Sequence, residues 1–119
     1  MVERLAASSV MAFPSTYEGF GIPVVEAMAA GVPILVAEGT PAAELVGPAS
    51  VLSAAAGPSR WAEGLERLLV DDGHRLERVE EGLVGAMAHT WEVSAAALEQ
   101  AWRLLLATGS SSSQSGTRI

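Results

Sequence analysis

Two glutamates that lie eight positions apart, Glu18 and Glu26, flank a glycine-rich turn in the segment PSTYEGFGIPVVEAMAAGVP, residues 14–33. Carboxylates accept hydrogen bonds from paired hydroxyl groups, as the acidic residue of dinucleotide-binding folds does with a ribose. Gly19 and Gly21 lie between the two glutamates, just ahead of a proline that suits the first turn of a helix. Glycines let the backbone approach a ligand closely, and N–H groups at a helix start bind anions such as phosphate. Phosphate at the amides and hydroxyls at the two carboxylates together describe a nucleotide sugar.

The flanking sequence predicts the elements that position this turn. The runs SSVMAF (8–13) and VPILVA (32–37) are short and apolar, which is typical of parallel strands buried on both faces. Between them, PVVEAMAAG has helical periodicity and ends at Gly31, a natural helix stop. These segments predict a βαβ unit, and SVL (50–52) predicts a third strand after one helical turn at AAELVG. Ligands of an open α/β sheet bind beyond the carboxyl ends of the strands, where the glycine-rich turn lies.

From Pro58 onward the pattern predicts three helices, the second weakened by Gly82 and Gly85. Their apolar faces are Trp61, Leu65, Leu68 and Leu69; Leu76, Val79, Leu83 and Met87; and Trp91, Leu98, Trp102 and Leu105. The predicted fold class is therefore α/β, a partial Rossmann-like parallel sheet followed by an α-helical C-terminal half. We expect one domain over 1–107 and a disordered Ser/Gly tail over 108–119.

The predicted sheet has few strands, although each strand has the apolar composition of a strand that is buried on both faces. Strands buried on both faces need neighbours on both edges and helices on both faces. We therefore expect the sheet to be completed by strands that would precede residue 1.

Composition excludes several classes of function. Seven arginines and no lysine stand against fourteen carboxylates in 119 residues, for a net charge of −7. The arginines are scattered and form no basic face, so nucleic-acid binding is not expected. No apolar run approaches the roughly 20 residues that span a bilayer, and without cysteine there is no disulfide framework or thiolate metal site. A cytoplasmic location fits this composition.

Taken singly, these residues also have ordinary structural explanations. Glu18 suits a solvated loop, and Glu26 suits the helix dipole of a first turn. His74 and His89 show no spacing with carboxylates that indicates a metal site. The adjacent Asp71 and Asp72 are expected to end one helix and start the next, and the three tryptophans are expected to be core anchors.

The whole segment resembles a known family. FPSTYEGFGIPVVEAMAAGVPILVA is similar to the signature of retaining, nucleotide-sugar-dependent glycosyltransferases of the GT-B fold, in the group related to glycogen and sucrose synthases (glycosyl transferases group 1). The family motif is a glutamate, seven residues and a second glutamate, which Glu18 and Glu26 match. AELVGPA, LERLLVDD and TW also match by type, so the resemblance covers roughly residues 2–106.

The resemblance implies a role for each residue of the motif. Glu26 would bind the ribose hydroxyls of the donor nucleotide, and Glu18, the implied catalytic residue, would contact the donor sugar near the reacting carbon. The backbone of Gly19, Phe20, Gly21 and Ile22 would hold the diphosphate and the sugar hydroxyls. The implied reaction transfers a hexose from a UDP-, GDP- or ADP-sugar to an acceptor hydroxyl with retention of configuration, without a cofactor or an active-site metal ion.

The chain departs from the family in its length and its basic residues. The family has two Rossmann-like domains, and this chain resembles only the latter part of the second, which binds the donor. An arginine–lysine pair that grips the diphosphate in the family lies upstream of the motif, where this chain has only Arg4. We therefore expect a missing N-terminal half or a partner chain to be needed for catalysis. The alternatives are a non-catalytic, truncated or degenerate homologue acting as a nucleotide-binding or interaction module, and a nucleotide-binding protein of unrelated chemistry.

Overall fold

A computed structural model describes residues 2–17 and 19–111. The chain divides into two compact units, Met1–Ala88 and His89–Ile119. The first unit contains a parallel sheet and five helices, and the second contains one helix within the described residues. In chain order the elements are α1 (Val2–Ala6), β1 (Met11–Phe13), α2 (Ile22–Ala29), β2 (Ile34–Ala37), α3 (Pro41–Leu45), a 3₁₀ turn (Pro48–Ser50), β3 (Val51–Leu52), α4 (Pro58–Val70), α5 (Asp72–Met87) and α6 (Trp91–Ser111). The predicted α/β class with a helical C-terminal half is confirmed.

The sheet has three parallel strands in the order β1-β2-β3. Ala12 pairs with Leu35, and Val36 pairs with Val51. All four residues of β2 are buried, as the apolar run predicts for a central strand. In β1, by contrast, Ala12 is exposed, and β1 has a strand neighbour on one side only among the described residues.

Alternating side chains of β2 contact helices on opposite faces of the sheet. Ile34 and Val36 belong to the main core cluster together with Val24 and Met28 of α2. Leu35 points the other way, toward α4. A Cβ atom built on Gly64 of α4 would lie 2.8 Å from Leu35 Cδ1, so this glycine lets α4 pack closely on the sheet.

The packed face of α5 differs from the prediction. Leu76, Leu83 and Met87 are exposed, whereas the helix lies close to α2 at Gly82 and Gly85. Cβ atoms built on Gly82 and Gly85 would lie 3.5 Å from Met28 Cγ and 2.6 Å from Met28 Cε, respectively. The apolar periodicity missed this face because glycine has no side chain for the pattern to count. On α4, the predicted core residue Leu69 is likewise about half exposed, while Leu68 is buried.

A capping interaction separates α4 from α5 at the predicted position. Asp71 Oδ1 accepts a hydrogen bond from His74 N at 3.0 Å, which satisfies one of the N–H groups that the first turn of α5 leaves unpaired. The expectation that Asp71 and Asp72 end one helix and start the next is therefore confirmed.

The second unit consists of α6 in the described residues. Thr90 Oγ1 accepts a hydrogen bond from Val93 N at 3.3 Å at the start of this helix. The helix runs to Ser111 and overlaps the beginning of the predicted tail, and residues 112–119 lie outside the described part of the chain. None of the helices in the described residues is both long enough and apolar enough to cross a bilayer.

Candidate functional site

The glycine-rich turn leads from the end of β1 into α2 at the carboxyl edge of the sheet, and Gly21 is the N-cap residue of the helix. Its backbone has φ 91° and ψ 41°, in the left-handed region that L side chains rarely adopt. A Cβ atom at this position would also lie 3.1 Å from Ala42 Cβ and 3.3 Å from Ala42 Cα. Backbone conformation and space therefore both require glycine at position 21.

The rest of the turn is open to solvent. A Cβ atom built on Gly19 would meet no atom within 4 Å. Phe20 and Ile22 are 49% and 61% exposed, so two apolar side chains border the start of the helix. A ligand at this edge of the sheet would contact exposed backbone together with an apolar rim.

The start of α2 provides polarity suited to an anion. Val24 N donates to Gly21 O at 2.9 Å, which begins the helical hydrogen bonding. Pro23 has no N–H, so Ile22 carries the N–H of the first turn that has no partner within the helix, and the helix dipole places partial positive charge there. Phosphate groups bind at such helix starts when the backbone can approach closely.

Glu26 lies five residues beyond the N-cap, roughly 7 Å farther along the helix axis at 1.5 Å per residue. Its side-chain oxygen Oε2 is buried and has no hydrogen-bond partner within residues 2–17 and 19–111. Leaving a buried acceptor unsatisfied costs about 1–3 kcal/mol, and more when it is charged. This oxygen can accept a hydrogen bond from a hydroxyl group that a ligand supplies.

The structure thus places five of the six predicted site residues on one turn and the helix that follows it: Gly19, Phe20, Gly21, Ile22 and Glu26. The sixth, Glu18, lies outside the described residues, so its role stays a prediction. No group of three or more His, Cys, Asp or Glu side chains is arranged for a metal ion in the described part of the chain.

Two features of the same edge were missed by the sequence analysis. The first is the packing of α3, the helical turn predicted at 42–47, whose Ala42 and Leu45 lie behind Gly21. The Thr-Pro pair at 40–41 carries a usable signal for its start, since threonine favours the N-cap and proline the first helical position. The second is Glu38, whose Oε1 accepts hydrogen bonds from Ser53 Oγ at 2.7 Å and from Ala54 N at 3.3 Å. That contact joins the loops after β2 and β3, and no local pattern predicts it.

A broad concave surface of about 740 Å³ lies beside α3, lined among others by Thr40, Glu44 and Val51. Among the described residues, neither residues 19–22 of the turn nor Glu26 lines it. The candidate site is therefore placed at the turn and the buried Glu26 Oε2 by their chemistry, and not by the concavity of this surface.

Comparison with known proteins identifies the family. The sequence model of the family described as glycosyl transferases group 1 matches residues 1–83. The chain belongs to this family. The family match includes the glycine-rich turn, α2 and Glu26, as the resemblance of the motif predicted.

Individual relatives of the chain support the same family assignment. A D-inositol 3-phosphate glycosyltransferase from Corynebacterium urealyticum is 34% identical over 107 residues, which cover 88% of this chain and 25% of the relative. One from Corynebacterium diphtheriae is 36% identical over 104 residues, or 86% and 24% of the two chains. The O-antigen chain mannosyltransferase B of Escherichia coli is 33% identical over 100 residues, or 84% and 26%.

The chain thus spans about a quarter of the length of these curated relatives. No solved structure matches it significantly.

Proposed function

We propose that this chain forms the part of a retaining glycosyltransferase that binds the nucleotide-diphosphate sugar donor, at the start of α2. The observation that carries the proposal is the buried Glu26 Oε2, which has no hydrogen-bond partner among the described residues. It lies on the helix that the glycine-rich turn opens. A donor supplies what this site needs, because its ribose has hydroxyl groups to donate and its diphosphate is an anion.

The proposed binding mode assigns one part of the donor to each group. The ribose hydroxyls donate to Glu26, and the diphosphate lies at the backbone of Gly19, Phe20, Gly21 and Ile22. The open space around Gly19 allows the close approach that amide binding of phosphate requires. The exposed side chain of Phe20 borders the sugar.

The proposed reaction retains the anomeric configuration. The acceptor hydroxyl attacks the anomeric carbon on the face from which the nucleoside diphosphate leaves. The bond from that carbon to the diphosphate oxygen breaks, the new glycosidic bond forms, and the hydroxyl proton passes to an oxygen of the departing phosphate. Backbone amides stabilise the charge that develops on the leaving group. Glu18, whose role the resemblance to the family motif implies, contacts the donor sugar near the reacting carbon.

The donor-binding part needs an acceptor site and basic groups for the diphosphate in order to act as an enzyme. The chain spans about a quarter of its curated relatives, so we place the acceptor site and the basic groups for the diphosphate on a further segment or a partner chain. A hexose is the proposed group transferred, which agrees with the mannosyltransferase named among the relatives.

Calorimetric titration tests the proposal with UDP-glucose, GDP-mannose and ADP-glucose as probes. We expect one of them to bind the wild-type chain, and Glu26→Ala to weaken that binding by roughly tenfold or more, the effect of about 1.4 kcal/mol. Glu66→Ala is the matched control, because Glu66 is an exposed carboxylate on α4. Equal affinities of the Glu26 and Glu66 variants would contradict the ribose role, and binding of free nucleotides but not of nucleotide sugars would favour unrelated chemistry. Failure of the wild-type chain to bind any probe would favour a non-catalytic interaction module.

A further inference from the structure

A short helix supports the glycine-rich turn from behind. A Cβ atom built on Gly21 would lie 3.1 Å from Ala42 Cβ and 3.5 Å from Leu45 Cδ1, both on α3. Ala42 is fully buried, so no solvent layer separates the two segments. At this separation a movement of α3 toward or away from α2 is transmitted directly to the backbone of Gly21.

Helix α3 cannot hold this position by itself. It has five residues, Pro41–Leu45, and isolated helices shorter than about 12 residues are marginal in water. Its geometry must therefore come from contacts at its ends and from packing.

Thr40 supplies the contact at the N-terminal end of α3. Its side chain is buried, with the residue only 4% exposed. Thr40 Oγ1 donates to Ala37 O at 2.9 Å and accepts from Ala43 N at 3.3 Å. The first bond ties α3 to the end of the central strand β2, and the second caps the first turn of the helix. One hydroxyl group thus connects the sheet to the helix that lies against Gly21.

We infer that Thr40 is a positioning residue for the donor-binding turn, which acts through Ala42 on the backbone of Gly21. It touches no ligand in this scheme. Its hydroxyl fixes where α3 lies, Ala42 fixes where Gly21 lies, and Gly21 sets the direction of the first amides of α2. The consequence for donor binding rests on the proposed function above, whereas the positioning of Gly21 does not.

The test compares variants of the full chain by the amide resonances of the turn and by donor affinity. Thr40→Ala removes both hydrogen bonds, and Thr40→Ser keeps the hydroxyl group. Asp71→Ala is the control, because Asp71 also caps a helix, with Oδ1 accepting from His74 N at 3.0 Å, but belongs to the junction of α4 and α5. Ala42→Gly removes the methyl group of α3 that packs against Gly21. This variant replaces Thr40→Ala in the test if Thr40→Ala does not fold.

We expect Thr40→Ala and Ala42→Gly to shift the amide resonances of Gly21 and Ile22, while Thr40→Ser and Asp71→Ala leave them in place. For the nucleotide sugar that the wild type binds best, Thr40→Ala should raise Kd roughly fivefold, within the range seen for residues coupled to a distant ligand. Thr40→Ser should restore wild-type affinity.

Unchanged Gly21 and Ile22 resonances in both Thr40→Ala and Ala42→Gly would overturn the inference, as would an equal loss of affinity in Asp71→Ala. If the wild-type chain binds none of the probes, the proposed function fails and the amide resonances alone decide the positioning role.

Discussion

At the scale of single residues, two buried polar atoms lack a hydrogen-bond partner in the described residues, Glu26 Oε2 and Arg78 Nε. They differ in what surrounds them. The Arg78 side chain is 9% exposed and its Nη1 lies 2.9 Å from Glu81 Oε2, so its charge is compensated by an ion pair. No ion pair of this kind involves Glu26 among the described residues. The proposed function assigns a ligand hydroxyl group as the partner of Glu26 Oε2.

Replacing Glu26 by methionine should therefore stabilise the free protein. The substitution keeps the length of the side chain and removes an acceptor that is unsatisfied in the described residues, for an expected gain of about 1 kcal/mol in the free energy of unfolding. Urea denaturation of Glu26→Met and wild type measures this gain. A loss of stability of the same size would show that the carboxylate has a structural partner, and would remove the main support for its role in binding.

Gly21 offers a second prediction at this scale. Gly21→Ala should destabilise the fold by about 1–3 kcal/mol, because alanine is strained at φ 91° and its methyl group would meet Ala42. Gly19→Ala is the control, since a Cβ atom there meets nothing within 4 Å, and should change stability by less than about 0.5 kcal/mol. Thermal unfolding of both variants gives the comparison. Equal midpoints would contradict the tight fit of Gly21 against α3.

At the scale of elements, glycines inside helices mark close contacts with the sheet and with α2. Gly→Ala in a helix interior normally gains up to about 1 kcal/mol from propensity. At Gly64 the added methyl group would lie 2.8 Å from Leu35 Cδ1, and Leu35 is buried in the sheet. At Gly82 it would lie 3.5 Å from Met28 Cγ, an ordinary contact distance.

The two positions should therefore respond with opposite signs. We expect Gly64→Ala to lower the free energy of unfolding by about 1–2 kcal/mol through overpacking, and Gly82→Ala to raise it by about 0.5–1 kcal/mol. Chemical denaturation of the two variants measures the change in the free energy of unfolding, and its sign shows whether overpacking or helix propensity dominates at each position. A stabilising Gly64→Ala would mean that α4 packs less closely on the sheet than the structure indicates.

The same glycines explain which elements could be predicted from the sequence. The strands and α2 were predictable because apolar runs, a proline and Gly31 report their own local structure. The contact face of α5 was not, since Gly82 and Gly85 act through their lack of a side chain. In the candidate site, the glycine-rich turn and Glu26 could be identified from the local sequence pattern. Two other contacts of the site join segments that lie far apart in the chain, and only the fold brings those segments together. They are the packing of Ala42 behind Gly21 and the hydrogen bonds from Ser53 and Ala54 to Glu38.

At the scale of the whole molecule, the net charge of −7 opposes an anionic donor. Binding in this account relies on backbone amides at the start of α2, whose attraction is short-ranged. Long-range repulsion is screened by salt, with a Debye length near 30 Å at about 0.01 M and near 8 Å at about 0.15 M.

We therefore expect the affinity of the chain for a nucleotide sugar to rise with salt, by roughly twofold between about 0.01 M and about 0.15 M. Titrations at the two ionic strengths measure the change. Affinity that falls steeply as salt is added would indicate that arginine side chains, and not the amides of the turn, hold the diphosphate.

The central claim is that a nucleotide sugar binds at the start of α2, and amide NMR of the labelled chain during titration with the donor tests it most directly. The account predicts that the largest shifts occur at Gly19, Phe20, Gly21 and Ile22, with smaller ones near Glu26, and that Glu26→Ala reduces all of them at equal donor concentration. Shifts concentrated elsewhere, such as along the concave surface beside α3, would contradict the account even if the donor binds.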